Sequence, residues 1–171
     1  RPVLGFRAPS FSIVRGREWA LSILVEEGYR YDSSLYPVLR RGYGYRGGKR
    51  DIHLLETGSG TIVEVPPATL RLAGMNIPAG GGGTFRQFPY RFTRAAFQNR
   101  GHSPPGPSTF YLHPWEIDPD QPRIPGLPLL AQLRHYRGLR KAESRLVRLF
   151  EDVQFQSIEA TLSSLDYAAQ S

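Results

Sequence analysis

His113, Arg7 and Asp32 are the residues of this sequence best suited to chemistry. His113 lies in Phe110-Tyr-Leu-His-Pro-Trp-Glu-Ile-Asp118, which reads as a short buried strand at 110–112 delivering one imidazole to its C-terminal end. Pro114 and Trp115 follow at once. A histidine just past a strand, backed by proline and flanked by a large aromatic, suits a general acid or base beside a flat, ring-shaped ligand. Arg7 and Asp32 stand at or just past the ends of strands expected at 2–6 and 29–32. In parallel α/β architectures the strand C-terminal ends converge on one rim, so the three can share a site. There the Asp32 carboxylate is expected to orient the imidazole, the imidazolium to protonate a leaving group, and the guanidinium to hold negative charge. No nucleophile joins them: Ser10, Ser12, Ser33 and Ser34 lie near these strand ends, but none sits in a Gly-x-Ser-x-Gly elbow.

The elements that must position this set follow from hydrophobic period and punctuation. Residues 16–27 carry Trp19, Leu21, Ile23, Leu24 and Val25 as an apolar stripe, which predicts a helix stopped by Gly28. Strand, helix and strand with short joints make a βαβ unit with a parallel sheet. Residues 40–50, rich in Gly, Tyr and Arg, read as a surface loop, and 52–55 and 61–65 as strands, the second ended by Pro66-Pro67. Gly80 to Gly83 are four glycines in a row, open to two readings: a flexible lid over a groove or a tight crossing. They are not a phosphate loop, because no Gly-Lys-Ser/Thr follows. A weak helix over 92–100 ends at Gly101, and Pro104-Pro105-Gly106-Pro107 is a stiff connector into the His113 strand. Residues 118–125 are too proline-rich for regular structure. The last third reads as helical, with Leu139, Leu146, Leu149 and Phe150 on its apolar face, followed by a strand over 153–158.

With 171 residues and 40% of them hydrophobic, the chain can bury a substantial core. Cysteine is absent, which excludes disulfides, thiolate metal sites and a cysteine nucleophile. The net charge of +7 comes from 22 Lys and Arg against 15 Asp and Glu. It attracts polyanions in general, but no zinc finger, RNA-recognition signature or helix-turn-helix spacing accompanies it, so no specific nucleic-acid partner is expected. No apolar run approaches the roughly 20 residues of a membrane span, and the first residues are no signal peptide. These observations lean towards a cytoplasmic chain.

Five strings, in order, resemble the C-terminal part of a polysaccharide deacetylase of the NodB-homology type (carbohydrate esterase family four), the kind encoded with bacterial exosortase and exopolysaccharide systems. They are Gly5-Phe-Arg-Ala-Pro-Ser-Phe-Ser12, Glu27-Gly-Tyr-Arg-Tyr-Asp-Ser-Ser34, Val63-Glu-Val-Pro66, Gly80-Gly-Gly-Gly-Thr-Phe-Arg86 and Phe110-Tyr-Leu-His-Pro-Trp-Glu-Ile-Asp-Pro-Asp-Gln-Pro-Arg123. The resemblance implies an α/β fold, the C-terminal part of a distorted (β/α) barrel over 1–125, with 126–171 a helical extension packed on it. It implies a hydrolase that removes N-acetyl groups from amino sugars in a bacterial polysaccharide. In such enzymes a divalent metal, usually zinc, polarises the acetyl carbonyl, an aspartate activates water and a histidine protonates the departing amine. By the same resemblance His113 is the general acid, Leu112 lines the acetyl pocket and Arg7 positions the catalytic aspartate. Asp32 matches a motif lining the groove, and Trp115 suits stacking on a sugar face.

The sequence also departs from that pattern. It contains no Thr-Phe-Asp-Asp-like string, and none of its four histidines, His53, His102, His113 and His135, is four or five residues from another. Both motifs lie upstream of the Arg-Ala-Pro segment in the family. The expectation is therefore a fragment that lacks the N-terminal half of the barrel, binds no catalytic metal and is inactive alone. The competing expectation is a non-catalytic basic module that binds anionic polysaccharide or nucleic acid.

Overall fold

The computed structural model describes residues 2–98 and 106–167. Three short strands, β1 (Gly5–Phe6), β2 (Tyr31–Asp32) and β4 (Gly60–Glu64), lie parallel, and β3 (His53–Thr57) pairs antiparallel with β4 at the edge, giving the order β1-β2-β4-β3. The fold is mixed α/β with a parallel sheet, and among the described residues the sheet does not close into a barrel. Helix α1 (Trp19–Glu26) makes the crossover from β1 to β2, as the hydrophobic period predicts. It buries Leu21 and Leu24 against Ala8, Ile13, Leu35 and Ile62. Trp19 and Ile23, counted in the expected stripe, instead face solvent at 65% and 45% exposure, because an eight-residue helix on a four-stranded sheet turns only one narrow face inward.

The first and second ladders are shorter than expected, two residues each, since the chain turns away at Arg7 and Ser33 on reaching the rim. The β3–β4 hairpin is where the sequence places strands. A second hairpin, β5 (Thr69–Leu72) with β6 (Met75–Pro78), has no counterpart in the sequence reading. It turns through Ala73 and Gly74, both at positive φ (49° and 77°), the geometry of a tight two-residue hairpin turn. Ala73 is an uncommon residue there, so the usual Asn-Gly signal is missing.

The glycine run leads into helix α2 (Gly82–Gln87), followed by α3 (Tyr90–Phe97). Of its two readings the structure supports the tight crossing. A Cβ on Gly80 would collide with the Thr109 carbonyl oxygen, and one on Gly81 with the Tyr111 hydroxyl. Gly101 and Pro104-Pro105 fall outside the described residues.

The expected strand at 110–112 is a correction: it is half-buried and makes only isolated parallel bridges, Thr109 to Pro67 and Tyr111 to Gly81. Pro66 and Pro67 have no N–H to extend a ladder, so the segment passes from one partner to the next. Residues 118–125 form no helix or strand.

After them come α4 (Leu129–Tyr136), α5 (Ala142–Asp152) and α6 (Ile158–Ser164). Leu149 of α5 packs with Ala68, Phe85 and Phe97, and Leu162 of α6 with Val63 and Val65. Phe150 is 58% exposed instead of facing the core. The expected strand at 153–158 does not form. Ser157 accepts a hydrogen bond from the Ala160 N–H and caps the start of α6, which takes Ile158 into a helix. No helix among the described residues is long and apolar enough to cross a membrane.

Candidate functional site

Parallel register builds the interior half of the site. Phe6 pairs with Asp32 and Asp32 with Glu64, so Arg7, Ser33 and Val65 leave the sheet side by side, one residue further on. Arg7 donates through Nε to the Ser33 carbonyl (3.0 Å) and through a terminal nitrogen to the Ser33 hydroxyl (2.6 Å), which in turn donates to the Val65 carbonyl. Its guanidinium lies 5.2 Å from the Tyr111 ring centroid and 5.7 Å from that of Phe11. Burial lowers the pKa of Arg7, and Tyr111, Glu64 and Asp32 pull it back up. Burial likewise pushes the Tyr111 phenol up to about 12, against the pull of Arg7, so it remains a neutral hydroxyl.

Asp32 is fully buried and does not touch the imidazole it was expected to orient. It accepts from the Ser34 N–H (3.0 Å) and hydroxyl (2.7 Å), while that hydroxyl accepts from the Ala8 N–H. The neighbour across the ladder is a second carboxyl, Glu64, also fully buried, whose Oε1 accepts from the Leu35 N–H at 3.1 Å. Its Oε2 is buried without a partner as long as both groups are acceptors. A proton on that oxygen makes Glu64 the donor to Asp32. Burial first, then the Asp32 charge and this hydrogen bond, raise Glu64 well above the ordinary carboxylate range. Burial also raises Asp32, opposed by its bonds to Ser34 and Glu64.

The outer half is built on the 3₁₀ turn Pro114–Ile117. The partner of His113 is Glu116, one turn on, and not Asp32. A single carboxylate oxygen, Oε2, meets both the His113 backbone N–H and Nδ1, each at 3.1 Å. The imidazole is 58% exposed, whereas the Glu116 side chain is 3% exposed. The other oxygen, Oε1, takes the buried Arg86 Nε at 3.3 Å, and Arg86 donates onward to the carbonyls of His135 and Arg137. A Cβ on Gly82 would collide with Glu116 Oε2, so the third glycine of the run makes room for this carboxylate. Sequence reasoning missed Glu116, although an acid three residues after a helix-starting position is a recognisable capping signal.

Trp115 stacks on His135 at 4.5 Å and 7°, with His113 stacked more loosely at 5.9 Å and the Arg86 guanidinium 5.0 Å from its ring. Leu112 packs with Phe85, Phe97 and Leu149. The two halves meet at Tyr111, whose ring carries Arg7 and stands edge-on to His113 at 6.0 Å. Among the described residues no three His, Asp or Glu side chains converge as a metal-ligand set.

This chain belongs to the family described as Domain of unknown function (DUF3473). The family model matches residues 33–163, a span that holds Glu64, Arg86, His113 and Glu116 and begins just after Asp32. Comparison with curated proteins and with solved structures found no match.

Proposed function

We propose that this DUF3473 chain supplies the proton donor of a polysaccharide deacetylase of the NodB-homology type, a hydrolase of N-acetyl groups on amino sugars in a bacterial polysaccharide. The observation that carries the reading is the His113–Glu116 pair, an exposed imidazole held at Nδ1 by a buried carboxylate. With Nδ1–H directed to Glu116, Nε2 is the nitrogen that faces a substrate and gives a proton to a departing amine. Glu116 fixes the ring's orientation and offsets the charge of the imidazolium. Arg7, on the other side of Tyr111, holds its guanidinium ready for an anionic partner while Ser33 fixes its direction. The water-activating base and the metal ligands of such a reaction are not among these residues, and this chain alone is expected to turn over little or nothing.

The test is acetate release from an N-acetylated amino-sugar oligomer with added zinc. It compares this chain alone with a polypeptide in which it follows a segment carrying an aspartate pair and a His-x₃₋₄-His string. Turnover is expected only from the second, and His113→Ala should lower its kcat by about 10²–10⁴-fold, the usual worth of a general acid. Robust turnover by this chain alone, or wild-type rates for His113→Ala, would refute the assignment.

A further inference from the structure

We infer that the groove beside this site recognises an acidic polysaccharide, one whose sugars carry carboxylate groups. The inference rests on the reading of the site as one that acts on a sugar polymer, and it adds the charge of that polymer. The groove has a volume of about 1010 Å³, at the upper end of what small-ligand sites enclose and roomy enough for more than one ring. Phe11, Tyr43 and Tyr111 contribute aromatic surface to it, and Tyr111 is also the residue that joins Arg7 to His113. Three arginines also line it: Arg40 and Arg41 from the loop after β2, and Arg134 from α4. All three are exposed, and among the described residues none of them is ion-paired and no carboxylate lines the groove. Guanidinium groups left without counter-charges around an aromatic concavity select a ligand that brings its own anions.

The backbone supports a built site. Ser10 and Phe11 both hold positive φ, 55° and 54°, an unfavourable conformation for residues with side chains, and both line the groove. That geometry places the Phe11 ring 5.0 Å from Tyr36 and 5.2 Å from Tyr111, fixing the aromatic wall. The arginines come from two separated elements and form no continuous stripe. This suits spaced charges on a sugar chain better than the closely spaced phosphates of nucleic acid.

Calorimetric titration of the full chain with oligogalacturonate, with a neutral N-acetylglucosamine oligomer and with a single-stranded oligonucleotide of matched charge tests this. Oligogalacturonate should bind more tightly than the other two and weaken as salt rises from about 50 to 300 mM. Arg40→Ala/Arg41→Ala/Arg134→Ala should weaken it at least about tenfold, the worth of one charge-assisted hydrogen bond. The corresponding triple lysine variant, which keeps the charge, should recover part of the loss. Equal affinity for the neutral oligomer, or unchanged binding by the triple alanine variant, overturns the inference. An equally tight oligonucleotide also overturns it, by showing that any polyanion is accepted. The deacetylase reading fails separately, through His113→Ala in the acetate-release assay, because His113 does not line the groove.

Discussion

Replacing Glu64 with glutamine keeps the shape of the buried pair and removes its proton. The amide introduced by Glu64→Gln can still accept from the Leu35 N–H and donate to Asp32, as the protonated carboxyl does. Glu64 is raised in the folded chain above its ordinary 4.5, so between that value and the raised one the folded state binds a proton that the unfolded state has released. Stability therefore falls as pH rises through this window and is fully present below it, with a slope of about 1.4 kcal/mol per pH unit for one proton. For a chain of this size about 1 kcal/mol moves Tm by about 2–4 °C, so the Glu64 proton by itself should lower the wild-type midpoint by about 3–6 °C per pH unit. Glu64→Gln should lose that slope. Thermal melts at half-unit steps from pH 4.5 to 8 read the difference between the two proteins at each pH. The difference is needed because Asp32, also raised by burial, acts in the same sense, and His53, which burial holds below its ordinary 6.5, acts in the opposite sense as pH rises through that range. Parallel curves for wild type and Glu64→Gln would refute the argument that Glu64 carries the proton.

Glu116→Ala leaves Arg86 buried without its counter-charge, and urea denaturation should show a loss of about 3–5 kcal/mol. Gly82→Ala drives a Cβ into the Glu116 carboxylate, so under the proposed function it should lower acetate release by the two-part polypeptide through displacement of His113, even where the fold survives by circular dichroism. Gly138→Ala combines a positive φ of 80° with a Cβ that would collide with the Arg86 carbonyl oxygen, and should cost more than about 1 kcal/mol in the same denaturation experiment. Thr93→Val should raise Tm, since its buried hydroxyl has no partner among the described residues and removing it relieves about 1 kcal/mol.

The βαβ start and the β3–β4 hairpin were legible because period and turn residues there agree with the final packing. Arg7 and Asp32 were legible as strand-end residues for the same reason. What could not be read was which side chains meet. The partner of Asp32 is set by parallel register across strands 32 residues apart, Asp32 beside Glu64, and nothing local in either string announces it. Glu116 had a local signal, but one that resembles an ordinary helix start until Arg86 arrives from 30 residues away. The segment 153–158 misled because Val153 and Phe155 alternate with polar residues as in a strand, while the Ser157 cap and the contact of α6 with Val63 and Val65 leave 153–157 irregular and start a helix at Ile158. Leu112 and Trp115 were assigned to a ligand by resemblance. In the structure the first packs among core aromatics and the second is stacked on His135.

Because Arg86 hangs from the carbonyls of residues 135 and 137 and grips the same carboxylate that steers His113, the aim of the imidazole is moored to the end of α4. A shortened version that stops before Arg137 would keep every residue of the HPWE turn and yet leave its ring adrift. The late helices are thus part of the imidazole's mounting, and any dissection of this chain into smaller pieces has to carry them along.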